Sequence, residues 1–190
     1  MLRTVQAATA YPITLDEAKA HLRVDHSDED DTINGMIAAA TVAAQNECQR
    51  RFVTQTVEWV LQHWCGGRIV LPIAPVTKDG VVSITYTDLA GVEHTLPTEK
   101  YVVQTFGHTV RIIAPIGSIW PLVKCDAPEP VVIQFKVGTG VDQVEPHVKA
   151  AIKLILGHLY ENRENVTVDA RSVAVQLPQG AQALLLSEVW

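Results

Sequence analysis

The chain is 190 residues long, 47% hydrophobic and 19% charged, with a formal net charge of −6 at pH 7. A chain of this length buries roughly 70% of the surface its unfolded form exposes, so one domain or two small ones can form a core without covalent staples. The acidic balance disfavours general nucleic-acid binding, which is built on phosphate neutralisation, and three scattered cysteines, Cys48, Cys65 and Cys125, argue against a disulfide scaffold or a structural zinc site and for a reducing compartment.

The first residues, MLRTVQAATAYP, hold no apolar run of signal-peptide length, and no segment approaches a membrane span. The expectation is a soluble cytoplasmic protein with no membrane partner. From Thr14 to Phe52 the hydrophobic period is helical. A short helix over 15–23 is followed by a Val-Asp-His linker and a long helix opening at Ser27, where Ser27 and Asp30 form a capping-box-like pair. Asp28, Glu29, Asp30 and Asp31 then occupy the first turn, and Arg50 and Arg51 the last, each matching the helix dipole. Ile33, Met36, Ile37, Ala40, Ala44, Cys48 and Phe52 form the buried stripe. The alanines beside it allow a second helix to approach closely.

From Thr54 to Val137 the period becomes that of strands. Seven candidates, 56–64, 68–71, 81–87, 92–96, 101–105, 110–113 and 131–137, are separated by turn residues, which predicts an antiparallel sandwich or open barrel. Trp59, Trp64 and Trp120 are expected to cover this sheet structure before they serve any interface. From Pro146 the period returns to 3.6, with Val148, Ala151, Ile152, Ile155 and Leu159 apolar on one face and proline at the favoured first position. A short terminal helix is predicted after Pro178. The fold class is therefore α+β: a helical bundle formed by residues 1–53 and 141–190, with an inserted β-sandwich or barrel-like domain over 54–140.

No motif carries catalytic chemistry. Glu17, His21 and Asp25 share a helical spacing, but such stripes are usually solvated faces. The acidic run 25–31 lacks the glycine and third ligand of a calcium loop. His158 and Glu161 lack the companions of a di-metal bundle, and there is no Gly-x-Ser-x-Gly or His-Glu-x-x-His. The pair Gly138 and Gly140 precedes a helix, yet Asp142 and Glu145 would repel phosphate and no third glycine follows. These glycines read as a hinge out of the β domain. The expectation is a chain without cofactor or catalytic site, and the alternative to any assembly role is a small intracellular ligand- or peptide-binding module.

Three stretches together resemble one family. PITLDEAKAHLRVDHSDEDDTINGMIAAATVAAQNECQRRFVTQT (12–56), LPIAPVTKDGVVSITYTDLAGVEHTL (71–96) and VVIQFKVGTGVDQVEPHVKAAIKLILGHLYENREN (131–165) are similar to tailed-bacteriophage and prophage head–tail connector, or head completion adaptor, proteins. The resemblance implies a structural virion protein at the head–tail junction, assembled in the host cytoplasm into a ring of copies, dodecameric in the particle. Its partners would be the portal protein and the stopper or tail-completion protein, with DNA passing through the channel without specific binding. The candidate contacts with portal or a neighbouring copy are Arg163, Arg171, Leu184, Leu185, Leu186 and Trp190. The candidate channel-facing acids are Asp28, Glu29, Asp30 and Asp31, since like charge keeps DNA from sticking.

Overall fold

The computed structural model describes residues 1–76, 78–107, 109–163 and 177–186. The chain divides into two compact units: Met1–Thr9 with Val53–Thr139, and Ala10–Phe52 with Gly140–Trp190. Each is built from the period its sequence carries.

Among the described residues the first unit holds eight strands: β1 (Leu2–Gln6), β2 (Gln55–Leu61), β3 (Arg68–Val70), β4 (Val81–Thr87), β5 (Glu93–Thr95), β6 (Val102–Phe106), β7 (Thr109–Ile113) and β8 (Val131–Val137). They form a five-stranded sheet in the order β1-β2-β8-β4-β5 and a three-stranded sheet in the order β3-β7-β6, with every strand pair antiparallel. Strand β8 is central and alternates cleanly: Val131, Ile133, Phe135 and Val137 are fully buried, while Val132, Gln134 and Lys136 point the other way. A period of two places one face on the core. Burying each such side chain contributes about 1.5–3 kcal/mol. The same core takes Ile69 from β3 and Val110 and Ile112 from β7, so both sheets close over one apolar layer, the sandwich expected from the strand spacing.

All seven expected strands are present, and an eighth is added. Residues 1–9 belong with the β unit, which corrects their expected place in the helical domain. Strand β1 pairs with β2, with Leu2 opposite Trp59, and the terminal ammonium donates to the Val60 carbonyl at 2.8 Å. All but Leu2 of β1 is exposed, so this edge strand lacks the alternation by which strands are recognised.

The second unit holds α1 (Leu15–Leu22), α2 (Asp30–Cys48), α3 (Pro146–Glu161) and α4 (Gln179–Leu185). Helix α3 packs against α2, α4 and α1. Ile33, Ile37, Ala40, Ala44 and Cys48 of α2 are buried with Val148, Ala151, Ile152, Ile155 and Leu156 of α3; Leu156 is buried where Leu159 was expected. Helix α2 also departs from the sequence reading at both ends. It begins at Asp30 because the Ser27 carbonyl accepts from Asp30 N–H in a preceding turn, leaving the serine two residues before the N-cap, Glu29. It ends at Cys48 because Gln49 turns left-handed (φ 53°) and Arg50 N–H bonds back to the Gln45 carbonyl at 3.1 Å. Arg50 and Arg51 therefore lie beyond the helix. No helix among the described residues is long and apolar enough to cross a membrane.

Within the β unit, Val53 and Thr139 form a parallel bridge. Both the amide and the hydroxyl of Thr54 donate to the Thr139 carbonyl at 2.9 Å. Gly138 adopts φ 98°, and a Cβ there would lie 2.4 Å from the Val53 carbonyl oxygen. Only glycine allows both the positive φ and that approach. Gly140 has φ −68° and no such crowding, so the positive φ expected of both glycines is needed at Gly138 alone. Gly138→Ala is expected to destabilise the β unit by at least about 2 kcal/mol, while Gly140→Ala stays within about 0.5 kcal/mol. Urea unfolding followed by tryptophan fluorescence distinguishes them, since Trp59, Trp64 and Trp120 all lie in that unit.

Candidate functional site

The residues singled out in sequence meet most densely where α1, the start of α2 and the end of α3 come together. Thr14 caps α1: its hydroxyl accepts from Glu17 N–H at 3.2 Å, and the Glu17 carboxylate accepts from Thr14 N–H at 3.0 Å. This reciprocal box satisfies two otherwise orphaned donors. Glu17 also faces Lys153 of α3 at 3.5 Å. The Thr14 amide, then Lys153 and Lys149, hold its carboxyl below the usual carboxylate range. At the other end of α1, Lys19 donates to Asp30 at 2.7 Å.

Glu29 sits at the N-cap of α2 without using its carboxylate as a cap. The Tyr160 hydroxyl donates to one carboxylate oxygen, and Arg163 pairs with the other at 2.7 Å. The Arg163 guanidinium also lies 4.4 Å from the centre of the Tyr160 ring, a cation–π arrangement. The hydroxyl and then the guanidinium hold the Glu29 carboxyl below its usual range, and the carboxylate in turn raises the Tyr160 phenol. The carboxylate is drawn to α3, which is why it leaves the α2 amides uncapped.

This arrangement sorts the four candidate channel acids. Glu29 and Asp30 tie helices together within their own unit, whereas Asp28 and Asp31 are exposed, with the Asp28 side chain 89% accessible. The candidate contact residues sort in the same way. Arg163 is engaged by Glu29. Leu185 is fully buried, its carbonyl 3.8 Å from the Cys48 sulfur, so it serves the helical core and is removed from the contact set. Leu184 is half-buried and Leu186 is 67% exposed. Arg171 and Trp190 lie outside the described residues. The sequence reading named Glu29 and Arg163 separately, did not mark Tyr160, and could not pair residues 131 apart.

Among the described residues, no group of three or more His, Cys, Asp and Glu side chains is placed to hold a metal ion. His21 instead packs beside Gly157 of α3. Burial pushes the Cys48 thiol up, away from the reactive thiolate. A groove of about 400 Å³ lies on the helical unit, lined mainly by Ala39, Ala43, Ile155 and Leu159, with Asn46, Glu47 and His158 as its polar members.

Residues 12–68, from the approach to α1 through β2 to the start of β3, match the family described as phage gp6-like head-tail connector protein. Three solved structures resemble the whole chain. One, from the virion of a native gene transfer agent particle, is 25% identical with a TM-score of 0.79, covering 100% of this chain and 95% of that one. The whole chain shares the fold of that virion protein. The other two are the neck of an empty gene transfer agent particle computed with C6 symmetry (24% identity, TM-score 0.79, 100% and 95% covered) and the neck of the native particle computed with C12 symmetry (24%, 0.77, 100% and 94%). No curated protein sequence matches the chain. The resemblance read at residues 12–56 is borne out by the family match, and the likeness of fold to the neck and virion structures covers both units.

The clamp on Glu29 gives this fold a defined acid response. Because the folded carboxyl titrates below its ordinary value of 4.5, its stabilising contribution is fully present above that value and is lost as the pH falls through the folded value. Thermal unfolding of wild type and Glu29→Gln is therefore expected to differ at pH 7 and to converge as the pH falls below 4.5, with the difference at pH 7 reduced by high salt because the Arg163 side chain is exposed.

Proposed function

We propose that this chain is a structural, non-catalytic virion protein: a head–tail connector that forms a ring beneath the portal vertex, extends the DNA channel and joins the capsid to the stopper or tail. The observation that carries the reading is likeness over the full chain, both units included, to neck and virion proteins of a phage-like particle. A fold alone does not specify function, but the match to the connector family over 12–68 points to the same role. The C6 and C12 symmetry of the related necks favours a closed ring, dodecameric in the particle. A cyclic ring needs two different complementary faces on each copy.

The net charge of −6 suits a channel through which DNA slides without adhering. Asp28 and Asp31, the exposed members of the acidic cluster, are the channel-facing candidates. The tail beyond α3 is the portal-facing candidate, with Leu186 its exposed apolar residue among those described. Disrupting the gene is expected to yield DNA-packaged or leaky heads apart from complete tails by electron microscopy, and normal infectious particles would overturn the connector role. Leu186→Glu, which adds charge at an exposed position and spares the buried Leu185, is expected to leave the melting temperature unchanged and reduce binding of the chain to purified heads at least tenfold. Asp28→Asn with Asp31→Asn is expected to slow DNA ejection without altering neck assembly.

A further inference from the structure

The net charge of −6 is not shared between the two units. The β unit carries seven acidic and seven basic residues and the helical unit fourteen acidic and eight basic, so the whole imbalance belongs to the helical unit. Within the neutral β unit, the solvent face of the three-stranded sheet is basic. Arg111 of β7 stands between Val70 and Gln104 on the side away from the buried Ile112, with Arg68 and Phe106 at diagonal positions on the neighbouring strands. No outward position of β3, β6 or β7 is acidic, and Val70, Val102 and Phe106 are exposed there, Phe106 most of all at 53%.

Phe106 and Arg111 form one feature. The guanidinium carbon lies 4.6 Å from the centre of the Phe106 ring, a cation–π contact that holds the planar group against the ring. Among the described residues the Arg111 Nε, although buried, has no hydrogen-bond partner. A guanidinium fixed in this way, with no carboxylate on its own face, pairs with an incoming one at little cost in side-chain freedom. The helical unit holds a matching recess. Its groove of about 400 Å³ is lined by Ala39 and Ala43 of α2 and Ile155 and Leu159 of α3, with Glu47 among its polar members. Pockets of about 300–1,000 Å³ take small-molecule ligands, so there is room for one aromatic ring and the guanidinium on it. Glu47 is exposed in the last turn of α2, to which that helix brings no basic residue, and the negative end of the helix dipole adds to its pull on a cation.

We infer that the Phe106 and Arg111 side chains of one copy enter the α2–α3 groove of a second copy, the ring against Ala39, Ala43, Ile155 and Leu159 and the guanidinium paired with Glu47. The inference rests on the ring assembly proposed above. Charge segregation selects the occupant: two helical units repel each other, whereas the acid-free, arginine-bearing face of a neutral β unit is drawn to an acidic helical unit. The contact joins different surfaces on the two copies, as a cyclic ring requires. An aromatic ring and an arginine are also the residue types that concentrate at the centres of protein interfaces.

The test replaces Phe106 in the full chain with a photo-activatable benzophenone amino acid, irradiated in particles and as purified protein at high concentration. The expected product is a covalent dimer of the 20.8 kDa chain, with peptide mass spectrometry mapping the adduct to residues 39–47 or 155–159 of the second copy. An adduct with DNA, with a different virion protein or elsewhere on the chain, or no adduct in either preparation, would overturn the inference. Arg111→Glu and Glu47→Arg are each expected to keep the wild-type melting temperature and reduce ring formation by about tenfold or more, and the two combined to restore it to within about threefold. Normal rings from either single variant, or no restoration in the double variant, would equally overturn it. Should Arg111→Glu fail to fold, the cross-link alone decides. Mass spectrometry of the particles separates the two readings: if the chain is absent from them the connector role fails, and the purified protein then decides the copy-to-copy contact.

Discussion

The architecture depends on one close backbone approach within the β unit. An inserted domain is tolerated when its first and last residues lie side by side, because the host segment then sees only a short closed loop, and loop-closure cost grows slowly with insert length. Val53 and Thr139 supply that adjacency, tied by the two bonds from Thr54. Gly138 makes it sterically feasible, since any side chain there would strike the Val53 carbonyl. The glycine pair that resembles a phosphate loop is explained by this packing of backbone on backbone. Each unit can then follow its own period: an antiparallel sandwich around β8, and helices around the apolar stripe of α3.

Within the helical unit, charged residues act as fasteners more than as a uniform acidic surface. Lys19 with Asp30, Lys153 with Glu17, and Arg163 with Tyr160 and Glu29 each link elements distant in sequence. Such exposed pairs contribute little individually. Their value is in direction: they set how the ends of α1, α2 and α3 meet, while the buried Ile, Val and Ala side chains supply most of the stability. What remains exposed, Asp28 and Asp31 above all, is the part of the acidic cluster available to act on something outside the molecule.

The β unit has charged fasteners of its own, with Arg3 paired to Glu58 and Glu129, and its connection from β7 to β8 exposes apolar side chains. The Trp64–Trp120 stack converts a proline- and glycine-containing connection into a supported platform. Among the described residues no group of three or more His, Cys, Asp and Glu side chains is placed to hold a metal ion.

The sequence by itself determined the order of elements, the switch from a helical to a strand period and back, the seven strands with internal alternation, and the helix led by Pro146, because side-chain period reports directly which face is buried. The motifs along 12–56 also carried the connector resemblance. Only the tertiary structure decided the rest. It placed β1 with the β unit, since an edge strand with one partly buried residue leaves no periodic trace. It moved Leu185 into the core and left Leu186 outside, a distinction that depends on where α4 meets α2 and α3. It paired Glu29 with Tyr160 and Arg163, and it turned Trp120 inward so that Ile116, Ile119 and Leu122 face water. In each case the deciding quantity is a contact between residues far apart in the chain, and local pattern does not encode which distant partner will stand opposite.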